Sequence, residues 1–141
     1  MEVSGIEAMN AESARLAASL VPSDTGATIL ALSGDLGAGK TTFAQGIARA
    51  LGVEEHVTSP TFVIEKIYQL ENQAFARLIH IDAYRLNDPH ELEVLGWKEI
   101  IADPLNLIVI EWPEKVGELI PVDAMHVSFD GSGDSREIVY N

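Results

Sequence analysis

Residues 34–43 read GDLGAGKTTF, and residues 34–41 satisfy the spacing G-x-x-x-x-G-K-[ST]. Glycines at this spacing let a backbone curl until successive N–H groups converge on one anion, an approach that side chains would block. The lysine after the last glycine adds a mobile positive charge, and the hydroxyl beside it suits a hard cation. Gly34, Asp35, Leu36, Gly37, Ala38, Gly39, Lys40, Thr41 and Thr42 therefore form a candidate phosphate cradle. In it Lys40 would reach the outer phosphates of a nucleotide, Thr41 would bind Mg2+, and Thr42 would add a hydroxyl contact. The competing reading is a glycine turn that only lets a strand and a helix pack closely. Flanking context favours the cradle, because an apolar run precedes it and a helical pattern follows.

Three further stretches carry residue types that such a cradle needs. A bound cation calls for an acid at the end of a neighbouring buried strand, and LIVIE ends in Glu111. Glu111 and Glu114 could instead serve only to favour a helix starting at Pro113. HIDAYR (80–85) ends another apolar run, and alternation puts His80, Asp82 and Tyr84 on one face if the strand persists that far. Asp82 could orient or deprotonate a water, or hold a cation-bound water. Arg85 could pair with an acid or a phosphate, and His80 reads as a hydrogen-bonded core residue before it reads as a catalyst. TSPTF (58–62) follows the helix of the cradle, where a segment sensing a terminal phosphate could lie; Thr61 is the candidate sensor and a plain loop the alternative.

The elements that must position these residues follow from hydrophobic periodicity. NAESARLAASLV has helical spacing from Asn10, a candidate N-cap, and ATILALS (27–33) reads as a strand buried on both faces. A helix is expected over 40–51, then two antiparallel strands within 57–70 and 74–81. A helix over 88–103 has Asp88 as cap and Gly96 as a weak point, and a second buried strand spans 105–112. A short helix after Pro113 and two strands around 130–135 complete a three-layer α/β domain with a mixed parallel and antiparallel sheet, expected to be one domain over 1–141.

The chain has 141 residues, of which 22 are acidic and 9 basic, for a formal net charge of -13. No two basic residues are adjacent, so the sequence lacks the basic stripe of a direct RNA or DNA reader. Absence of cysteine excludes disulfides and thiolate metal sites and fits a reducing compartment. The start carries no secretory pattern, and no apolar run is long enough to cross a bilayer, which points to the cytoplasm.

Taken together and in this order, GDLGAGKTTF, SPTF, HIDAYR and IEWPEK resemble the TsaE (formerly YjeE) family of P-loop ATPases, and the likeness covers nearly the whole chain. The resemblance implies a P-loop NTPase-like domain that hydrolyses ATP with Mg2+ in the making of threonylcarbamoyladenosine in transfer RNA. It also implies action on a TsaB–TsaD pair, tRNA being reached only through that pair, and a monomer when alone. Carried over by motif, the Mg2+ ligands fall on Thr41 and Glu111, the cradle on 34–42 and the essential acid on Asp82. Trp112 matches the tryptophan after the acid, Ser13 a hydroxyl approaching the nucleotide, and Arg136 an arginine near the base. Ala83 departs from the larger apolar residue usual there.

Two other functions use the same cradle. A small-molecule kinase would clamp donor and acceptor with several arginines and a lid, whereas the five arginines here stand apart at 15, 49, 77, 85 and 136. A nucleotide-sensing adaptor would bind without turnover. A GTPase is disfavoured because no N/T-K-x-D stretch occurs.

Overall fold

The computed structural model describes residues 1–35, 39–54, 65–131 and 135–141, and for Arg85 the backbone alone. The central strand β2 (Thr28–Ser33) lies between two parallel neighbours, β5 (Asn106–Glu111) and β6 (Met125–Asp130). Beyond β5 come parallel β4 (Arg77–Asp82) and antiparallel β3 (Glu65–Gln69); beyond β6 come β7 (Ser135–Tyr140) and β1 (Glu2–Ser4), each antiparallel to its neighbour. The seven-stranded order is β1-β7-β6-β2-β5-β4-β3, the mixed sheet expected from the sequence.

Alternation along the buried strands divides the core in two. Leu30, Leu32, Leu107 and Val109 pack with Phe43, Ile47 and Leu16 beneath helices α1 (Gly5–Ser19) and α2 (Lys40–Ala50). Ile29, Ala31, Ile108 and Ile110 face the other way, onto Leu92 of α3 (Pro89–Val94), Trp97 of α4 (Trp97–Ala102) and Val116 of the 3-10 stretch Pro113–Leu119. The chain thus leaves β2 towards one face and β5 towards the other. That divergence opens a crevice at the carboxyl ends of these strands, where open α/β sheets bind ligands.

Several boundaries depart from the periodicity reading. α1 starts at Gly5, not Asn10, because the unpredicted strand β1 pairs with β7 and delivers the chain to the helix earlier. Asn10 is mid-helix, where its Oδ1 accepts from Arg49 Nη2 at 3.0 Å. The expected helix over 88–103 is two helices, since Gly96 sits at φ +87° between them, while the Asp88 side chain caps the first by accepting from the His90 N–H. β4 stops at Asp82, so Tyr84 falls in a 3-10 turn (Ala83–Arg85) and leaves the strand face shared by His80 and Asp82.

Candidate functional site

Gly39 precedes α2 at φ +105°, a conformation open to glycine and strained for other residues. A Cβ there would also come within 2.9 Å of Met9 Cε. Lys40 and Thr41 are consequently presented on the first turn of α2, whose N-terminal N–H groups face the crevice side of the sheet.

The strand register brings the acids to the same place. Leu32 on β2, Glu111 on β5 and Asp82 on β4 are Cα partners across three parallel strands, so their level coincides at the carboxyl edge. Thr41 Oγ1 donates to Glu111 Oε1 at 3.0 Å. The other carboxylate oxygen, Oε2, lies 2.6 Å from His80 Nε2, and both side chains are only 3% exposed. An ionised carboxylate only accepts, so with Glu111 in that form the contact calls for the imidazole tautomer that carries Nε2–H. Asp82 is half-buried, and its Oδ1 accepts the Tyr84 N–H at 3.0 Å.

Lys40 is buried, with Nζ donating to the carbonyls of Gly34 and, at 3.2 Å, Asp35. Burial pushes its ammonium below the ordinary lysine value, against the opposing pull of Glu111, Glu114, Asp35 and Asp82, in decreasing order. The same Nζ lies 3.8 Å from the Trp112 ring centroid, a cation–π distance. Trp112 holds that position from φ +61°, uncommon outside glycine, with its N–H donating to Leu32 O at 3.2 Å. Its ring is flanked by Tyr84, centroid to centroid 5.0 Å.

Lys40, Thr41, Asp82, Glu111 and Trp112 are therefore gathered at one edge. Arg136 on β7 lies at its margin, with its side chain about 4 Å from the Cβ that Gly39 lacks, and its Nη1 donates to Ser135 O at 3.0 Å. Ser13 is not brought to the cluster. It is fully buried, donates to Asn10 O at 2.9 Å and packs on Gly46, whose added Cβ would stand 1.9 Å from Ser13 Oγ. Leu36, Gly37, Ala38 and Thr61 lie outside the described residues. Sequence reasoning missed Met9 beside Gly39, for which helical spacing carried no distinguishing signal. It also missed the His80–Glu111 contact, although both residues are polar interruptions of apolar strand runs.

The donor set is a hydroxyl and a carboxylate, which fits a hard, oxygen-seeking cation such as Mg2+. Among the described residues no group of three or more His, Cys, Asp or Glu side chains could hold a metal. A cation here would need further oxygens, of the kind that a nucleotide's phosphates and water provide.

Fold and site define the class: an α/β protein in which a central parallel strand leads, through the phosphate-loop sequence signature, into a helix carrying Lys and Thr opposite a strand-end acid. Residues 5–138 match the family described as "Threonylcarbamoyl adenosine biosynthesis protein TsaE", and the chain belongs to that family. Among its relatives is the "tRNA threonylcarbamoyladenosine biosynthesis protein TsaE" of Borreliella burgdorferi, 39% identical over 114 residues, covering 80% of this chain and 80% of the relative. The protein of the same name from Bacillus subtilis is 40% identical over 113 residues, covering 79% and 68% of the two chains. A crystal structure of Bacillus subtilis YdiB superposes with a TM-score of 0.78 at 29% identity, over 99% of this chain and 82% of that one.

Proposed function

We propose that this chain is a single-domain, Mg2+-dependent ATP-binding and hydrolysing subunit in the threonylcarbamoyladenosine modification of tRNA, working in the cytoplasm on a TsaB–TsaD pair. The observation that carries the reading is the meeting of Lys40 and Thr41, at the start of α2, with Glu111 and Asp82 at one level of the parallel strands. Family membership supports the pathway.

On this reading the first turn of α2 binds phosphate through its N–H groups, and Lys40 moves from the Gly34 and Asp35 carbonyls to the outer phosphates. Thr41 and Glu111 would hold Mg2+, which when bound neutralises phosphate charge. The Thr41 hydroxyl can keep its proton on Glu111 while offering a lone pair outward. Asp82, on the strand adjacent to Glu111, would orient water, and Trp112 would wall the site beside Lys40. Arg136 and Met9 border Gly39, and Arg136 would lie near the base. Thr61 remains the proposed sensor of the terminal phosphate.

The test is steady-state ATP hydrolysis with and without a purified TsaB–TsaD pair, beside a screen of small hydroxyl acceptors. Stimulation by the pair is expected. A phosphorylated acceptor would instead establish a kinase, and binding without turnover an adaptor. Glu111→Gln and Asp82→Asn separate the acids: the first should lose Mg2+ coupling, and the second should slow hydrolysis with ATP affinity kept. Equal loss of ATP affinity in both would place Asp82 in the cation site.

A further inference from the structure

His80 and Glu111 are polar residues in largely apolar strands, and neither side chain is exposed beyond 3%. A carboxylate held so far from water needs hydrogen bonds to both oxygens, and Glu111 has them from two different elements. Oε1 accepts from Thr41 on α2, and Oε2 lies at hydrogen-bond distance, 2.6 Å, from His80 Nε2 on β4. His80 reaches it from the neighbouring strand, where its own Cα partner is Val109, two residues before Glu111. The last torsion of a glutamate is broad and two-fold, so a single bond to Thr41 would leave the carboxylate plane loosely set. A second donor on the opposite oxygen fixes it.

We propose that His80 is the positioning residue for Glu111: by donating Nε2–H to Oε2 it turns Oε1 toward the Thr41 hydroxyl and toward a divalent cation arriving with nucleotide phosphates. This rests on the nucleotide reading of the site. Removal of a partner that orients a metal-binding group typically lowers metal affinity about 10–100-fold. His80→Leu fills the core volume without a donor, whereas His80→Gln can return an amide N–H to the Nε2 position.

The experiment measures Mn2+ uptake by the ADP complex of wild type, His80→Gln and His80→Leu by electron paramagnetic resonance, with metal-free ADP affinity and thermal melting alongside. The expected result is a loss of about 10–100-fold in Mn2+ affinity for His80→Leu, with metal-free ADP affinity kept and most of the Mn2+ affinity restored in His80→Gln. A folded His80→Leu with wild-type Mn2+ affinity, or a His80→Gln as weak as His80→Leu, overturns the positioning role alone. Wild type that takes up no Mn2+ with ADP overturns the nucleotide reading and this role with it. If His80→Leu does not fold, the wild-type imidazole Nε2–H resonance decides: it should shift when Mg2+ joins the ADP complex, and a fixed resonance overturns the role.

Discussion

Lys40 and Thr41 are adjacent in sequence, yet their surroundings set them different tasks. Lys40 is a desolvated cation on backbone carbonyls and an aromatic face, while Thr41 is bonded to a carboxylate. Hydrogen bonds to charged groups contribute about 1.5–3 kcal/mol, so Lys40→Ala should weaken ATP binding about tenfold or more even without Mg2+. Thr41→Ala should keep its metal-free affinity and lose the increment that Mg2+ adds. ATP titrations with and without Mg2+ check both, and an unchanged Mg2+ response in Thr41→Ala would remove it as a ligand. These residues were legible in the sequence because phosphate chemistry constrains type and spacing together. The His80–Glu111 bond was not, because it spans 31 positions and depends on the register of β4 against β5.

At the scale of elements, α1 is the piece that sequence placed least well, and it is held by two contacts that periodicity does not encode. One is a close approach to α2, where Gly46 leaves room for Ser13 and an added Cβ would lie 3.0 Å from Ser13 Cβ. Alanine favours a helix over glycine by about 1 kcal/mol, and overpacking costs about 1–3 kcal/mol. Gly46→Ala should therefore lower stability by up to about 2 kcal/mol, and Ser13→Gly in the same chain should recover part of that loss. Denaturant titration of both variants checks it; an undiminished penalty in the double variant would place the clash elsewhere. The other contact clasps α1 to β7: buried Glu12 accepts from Arg15 Nε at 2.8 Å, from Arg15 Nη2 at 2.6 Å and from the Tyr140 hydroxyl. The Arg15 hydrogen bonds hold the Glu12 carboxyl below its ordinary 4.5 against the opposing effect of burial, and Tyr140 and the N-terminal ammonium add to the lowering. A depressed carboxyl stabilises the fold above its unfolded value and loses that contribution as pH falls through the folded one. Glu12→Gln should thus cost about 1–3 kcal/mol at pH 7 and less at pH about 3, read from melting at the two pH values. An equal cost at both would mean that packing, not ionisation, makes the clasp.

Over the whole molecule, the strand–turn–helix core was readable because fully buried parallel strands are continuous apolar runs, as in β2 and β5. Their order was not, since pairing β2 between β5 and β6 is decided by crossovers that a linear pattern does not record. The charge balance, in contrast, passes directly from sequence to behaviour. Net charge is -13, and among the described residues three of the few cations are already engaged within the fold: Lys40 is buried, Arg15 is bonded to Glu12, and Arg77 is bonded to Asp103 at 2.5 Å. Binding of a polyanion depends on counterions released by clustered lysines and arginines, and a net charge of -13 opposes it. The isolated protein should therefore bind tRNA more weakly than about 10⁻⁴ M at physiological salt. Fluorescence anisotropy with labelled tRNA at low and physiological salt measures this directly. Tight binding that falls steeply with salt would show a basic surface formed by folding, and would place tRNA on this subunit rather than on its proposed partners.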